Sequence, residues 1–177
     1  MNIRFTLLFA ILLLLLAWAC KKTEVDEEFE VDRSVIGEWY SSRGNLSEIM
    51  KEVDGVDSVF LVFRTDSTYY IETFGELYTT NRLVIKTYQG KYRYFASDFG
   101  DIHTISLDQS KPSVLALEGI FEVTTTSPPY TMHFEVLQVE PFVNLYPPTP
   151  EGGFGSSDGG SFQNRNIQKY VKIKNLE

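Results

Sequence analysis

The chain has 177 residues and carries 16 basic against 24 acidic side chains, a net charge of −8. That length suits one domain with its own core rather than two. The acidic balance argues against nucleic acid, which calls for a clustered basic surface, and against electrostatic adhesion to anionic lipid. Thirteen Phe and ten Tyr, with many β-branched residues, favour sheet over helix, and a single cysteine leaves no disulfide within the chain.

The chain opens on Arg4, an apolar run from Phe5 to Leu16, and small Ala17 and Ala19 around Trp18. A charged start, an apolar middle and a small-residue end describe a secretory signal, expected over 1–19. The run is shorter than the roughly 18–20 residues that span a bilayer. It ends on Cys20, and a lone thiol in an exported protein is unusual because extracellular cysteines pair. The segment LLLLLAWAC resembles the lipobox of bacterial lipoproteins. That resemblance implies cleavage before Cys20, which becomes residue one and carries the acyl chains, and an exported protein held in the cell envelope, at the outer membrane above all. More than one acyl chain is what a stable anchor needs. The alternative is an ordinary signal peptide followed by an incidental cysteine. Lys21 to Arg33 are charged and lack apolar periodicity, so 20–33 is expected to be a flexible tether. Its acidic residues also resemble signals that route some Bacteroidetes lipoproteins to the cell surface.

The domain is expected over 34–177. SVIGEWYSS (34–42) reads as a strand. In NLSEIMKEV (45–53), Asn45 with Glu48 three places on is a capping-box-like start, and Leu46, Ile49, Met50 and Val53 recur at helical spacing. VFLVFR (59–64) and STYYIETF (67–74) flank Thr65-Asp66 as a hairpin. RLVIKTY and KYRYFAS flank Gln89-Gly90, a turn or a bulge. IHTISLDQ (102–109) and SVLALEG (113–119) surround Ser110-Lys111-Pro112. IFEVTT and YTMHFEVLQV surround Ser127-Pro128-Pro129, and NIQKYVKIK (166–174) is the last strand. In YTMHFEVLQV, Tyr130, Met132, Phe134 and Val136 share one face, and Thr131, His133 and Glu135 the other. Leu137 and Val139 break that phase as a bulge does. About eight to ten short strands with close turns and one early helix predict an all-β fold, an antiparallel barrel or sandwich.

Residues 141–165 form a long Pro- then Gly/Ser-rich loop containing Tyr146, Phe154 and Phe162. It is expected to fold across one barrel end with its aromatics as anchors. Gly155–Gly159 spells G-x-S-x-G, but Pro and Gly before it and Gly160-Ser161 after it supply neither the strand nor the helix of a nucleophile elbow. No GK[ST] follows for phosphate, and the alternating donors of a calcium loop are missing. The histidines are two, His103 and His133, without metal-ligand spacing. His133 and Glu135 are expected on the solvent side of their strand. No cofactor, metal or catalytic residue is called for, and the chain reads as a non-enzyme.

Gly37-Glu38-Trp39, opening the first strand of this strand-rich domain, resembles the G-x-W signature of lipocalins. FEVLQVEP, PPTPEGGFGS and NIQKYVKI resemble the end of lipocalin-like lipoproteins of Bacteroidetes. With the lipobox, the resemblance covers nearly the whole chain, and the middle strands match in character. It implies a lipocalin-like β-barrel whose tryptophan plugs the closed end under a basic residue, for which Arg165 and Lys172 are candidates. It also implies a small apolar or amphipathic ligand in the lumen. Tyr69, Ile71, Phe134 and Val136 are the expected lumen contacts, and Phe154 the expected lid contact. The rival is a barrel filled by its own side chains that acts by contacting another envelope protein. A lumen below about 300 Å³ is too small for a typical ligand site and favours the rival.

Overall fold

The computed structural model describes residues 35–77, 82–124 and 126–176; the leader, Cys20 and the tether lie outside these residues. Eight strands follow one another: β1 (Gly37–Ser42), β2 (Val56–Phe63), β3 (Thr68–Leu77), β4 (Arg82–Phe95), β5 (His103–Lys111), β6 (Leu115–Thr124), β7 (Thr131–Glu140) and β8 (Gln168–Lys174). Each pairs antiparallel with the next, and β8 returns to β1 to close a barrel. This is the lipocalin-like all-β architecture expected from the sequence, at the lower end of the strand count.

Alternation sets which side chains enter the barrel. In β5, Ile105 and Leu107 are buried while Asp108 is exposed; in β7, Met132 and Phe134 are buried. The core gathers Trp39, Leu61, Phe63, Tyr92, Phe121, Met132 and Tyr170, with Phe63 edge-on to Tyr92 at 4.7 Å. The Thr65-Asp66 turn joins β2 to β3 as expected. The Asp66 carboxylate accepts from the Thr68 amide (3.0 Å) and hydroxyl (2.6 Å), which holds its carboxyl below the usual range.

Two glycines leave their strands unbroken. Gln89-Gly90 is a bulge inside β4, where the register with β5 shifts, and not a turn. A Cβ on Gly90 would lie 2.0 Å from the Asp108 carbonyl oxygen, so glycine alone permits this approach. Gly119 sits the same way against the Glu135 carbonyl, and β6 runs straight through it, uniting two expected segments. Another register shift falls in β7: Leu117 faces Gln138 and Ala116 faces Glu140, which leaves Val139 as the extra residue.

Among the described residues a single α-helix, α1 (Glu48–Asp54), joins β1 to β2. Its N-cap is Ser47, whose Oγ accepts from the Met50 amide at 3.2 Å; Asn45, the expected start, instead ends a 3-10 turn at Arg43–Asn45. Tertiary contact decides this, because the Ser47 amide donates to the Gln168 side chain at 2.7 Å. The up-and-down topology puts α1, the β5–β6 turn and the β7–β8 connection at one end, here the open end. The β2–β3, β4–β5 and β6–β7 connections lie at the other, closed end.

Candidate functional site: a half-filled barrel lumen

At the closed end, Trp39 is fully buried and donates its indole N–H to the Val35 carbonyl at 2.7 Å. Trp39 pairs across β1 and β8 with Lys172, whose Nζ lies 5.1 Å from the ring centroid. The residue over the tryptophan is therefore Lys172. Gly37 makes room for it: its φ is +143°, and a Cβ there would meet Lys172 Cε at 2.6 Å. Arg165, the other candidate, lies elsewhere and pairs with Glu48 and Glu52 of α1.

Toward the open end the side chains stop filling the barrel. A cavity of about 230 Å³ remains, walled by Val59, Ile71, Leu107, Leu117, Phe134 and Val136 and capped by Met50 of α1. Thr73 and Gln109 add polar groups to the walls, and others gather on the α1 side. Gln168, buried on β8, donates to Ser41 Oγ at 2.6 Å and accepts from the Ser47 amide, tying β1, β8 and the start of α1 together. Asn166 also lines the cavity and donates to the Val136 carbonyl at 3.1 Å. Such a chamber can hold an apolar body and meet one polar group at its edge. Its volume falls below the 300 Å³ divider, so cargo of ordinary ligand size does not fit.

Of the expected ligand contacts, Ile71, Phe134 and Val136 line this cavity. Tyr69 is buried but does not line it; its ring packs beside Phe63 at 6.4 Å. Phe154 is not a lid. It lies edge-on to His133 at 5.6 Å, on the outer side of β7, because the 141–165 loop runs along the barrel wall rather than over its end. Gln168 and Met50, which the sequence reading missed, could have been found from alternation with Tyr170 and Lys172 along β8 and from the helical phase of α1.

The cause of the loop's path is Glu135. It points out of the barrel as alternation required, yet it is completely buried rather than solvated. Its carboxylate accepts from the Gly155 amide (2.7 Å), the Ser157 amide (3.3 Å) and the Ser157 hydroxyl. A buried carboxylate needs such donors, and the loop supplies them. Pro147–Pro150 lie along Thr104, Ser106 and Gly119, while the Tyr146 side chain stays 64% exposed and its carbonyl accepts from the Asp158 amide at 2.7 Å. The G-x-S-x-G run is thus a structural turn: Ser157 is buried on Glu135, and the Ser156 hydroxyl donates to the Gly153 carbonyl.

His133 is half-buried under Phe154, 3.9 Å from Glu122. Burial, with help from Lys169, pushes its pKa below the ordinary value, against the pull of Glu122. His103 packs edge-on to Phe121 at 5.5 Å. Neither histidine lines the lumen. Among the described residues no three His, Cys, Asp or Glu converge as metal ligands, and no helix is long and apolar enough to cross a membrane.

Fold and closed end together define a class: an eight-stranded, lipocalin-like antiparallel barrel plugged by a tryptophan under a lysine. Compared with protein-family models, with curated proteins and with solved structures, the chain matches none.

Proposed function

We propose that this is a non-enzymatic envelope lipoprotein, anchored through acylated Cys20, whose barrel binds a compact apolar or amphipathic molecule. The observation that carries the ligand reading is the lumen itself: a chamber of about 230 Å³ with mainly apolar walls that also carry Thr73 and Gln109, and polar groups on the α1 side. A dry engineered cavity of about 150 Å³ already binds benzene, so this space suits a single ring or a short branched chain. Long-chain cargo is outside its capacity. The filled-barrel reading, in which the protein contacts another envelope component, draws on the same number, since the lumen is smaller than a usual ligand site. It also draws on apolar side chains exposed near the open end, Val114 at 81% and Phe142 at 68%.

Native mass spectrometry of the protein purified from its own host separates the two. A retained small molecule, absent from a Val136→Trp variant with a filled lumen, supports binding. A clean apo mass with a co-purifying protein supports the rival. Labelling with radioactive fatty acid tests the anchor: the wild-type chain takes up label, and a Cys20→Ala variant that still did so would refute acylation at that residue.

A further inference from the structure

Beside the Gly90 bulge, where β3, β4 and β5 run together, lies a second and larger cleft of about 720 Å³. Its lining includes Arg64, Tyr69, Lys91, Asp108, Gln109 and Ser110. Tyr69 is 1% exposed, and its hydroxyl has no hydrogen-bond partner among the described residues. Tyr69 stands directly across from Gly90, which has no side chain to cover it. Native proteins rarely leave a buried hydroxyl unpaired, so one on a residue that lines a cleft calls for an outside partner.

Two cations, Arg64 and Lys91, and one carboxylate, Asp108, line it, and Asp108 stands across the sheet from Lys91. The Arg64 amide donates to the Thr68 carbonyl at 2.9 Å, and Thr68 pairs with Lys91 on β4, so both cations flank one point of the sheet. Arg64 donates to the Thr68 hydroxyl at 3.5 Å and its charge also acts on the nearby Asp66 carboxylate, and Lys91 is exposed. Asp108, the carboxylate of the cleft, is partnered by Arg93 at 3.3 Å. On a chain with net charge −8, this cleft has two lining cations against one carboxylate that Arg93 already pairs, with a hydroxyl donor behind them. Burial first, then the charge of Asp108, hold the Tyr69 phenol protonated, so it stays a donor.

We propose that this cleft is a second binding site, for a small molecule bearing a carboxylate or phosphate, whose anionic oxygens sit between Arg64 and Lys91 and accept from the Tyr69 hydroxyl. Its volume is in the range of small-molecule sites, unlike the lumen. The site does not rest on the lumen reading, and either can stand without the other.

The test is amide-resolved NMR of the isotope-labelled full chain in neutral detergent, titrated with inorganic phosphate and with acetate against sodium chloride of equal ionic strength. Saturable shifts at Gly90, Lys91 and Ser110 are expected. The Arg64→Gln/Lys91→Gln double variant should weaken binding by about tenfold. Tyr69→Phe should weaken it by roughly fivefold without lowering the melting temperature, because it removes a hydroxyl that has no internal partner. Shifts that do not saturate, that chloride reproduces, or that survive the double variant would overturn the site. So would a Tyr69→Phe variant that melts earlier and binds as before. A water-soluble short-chain phosphatidylglycerol distinguishes the source of the anion. Tighter binding than phosphate assigns the site to a lipid headgroup, and equal or weaker binding assigns it to a free solute.

Discussion

Gly37 shows how one missing side chain sets the closed end. Its backbone lies in the left-handed half of conformational space, and the Lys172 stem occupies the place of its Cβ. Gly37→Ala therefore meets both strain and a clash, and should cost about 2 kcal/mol in urea unfolding. Glu135 is the other decisive residue. Glu135→Ala leaves the Gly155 and Ser157 donors unpaired and should cost roughly 3 kcal/mol, with hydrogen exchange at those two amides rising first. His133 adds a pH dependence of known sign. Its pKa is lower in the folded protein, so the unfolded chain binds more protons as pH falls through the histidine range. Stability from this residue is complete above its ordinary value of 6.5 and is lost on acidification. A His133→Gln variant should flatten the stability curve between about pH 5 and 7.

At the scale of elements, α1 covers the lumen and is held at both ends. Gln168 fixes its start from inside the barrel, and Arg165 clips Glu48 and Glu52 from outside. These outer ion pairs are half-exposed, so Arg165→Ala should cost less than about 1 kcal/mol. The same variant should speed entry of a small apolar probe into the lumen, read as a faster on-rate in stopped-flow fluorescence. The strands around this lid were legible, because alternation such as Met132, Phe134, Val136 depends only on local sequence. The cap of α1 was not: Asn45 has the right chemistry, and Ser47 wins through Gln168, more than a hundred residues away. The loop path was hidden for a similar reason. Glu135 looks like a solvated strand residue until Gly155 and Ser157 arrive to bury it. The glycines at 90 and 119 read as breaks, whereas close approach of a neighbouring strand places them within continuous strands, with a register shift at Gly90.

For the whole molecule, the sequence led to the closed barrel through its strand count and the Gly37-Trp39 pair, but not to the size of its interior. Lumen volume depends on how Trp39, Phe63, Tyr92 and Tyr170 share the closed half, and no local pattern encodes that sum. The result is a barrel whose lower half is packed core and whose upper half is a small apolar chamber. The central claim is that this chamber is hollow and takes a compact guest. Methyl-resolved NMR of the protein titrated with benzene measures that directly. Saturable shifts confined to Ile71, Leu107, Leu117 and Val136, and abolished by Val136→Trp, are the predicted result. Shifts that are absent, spread over the surface, or unchanged in the filled variant would contradict it.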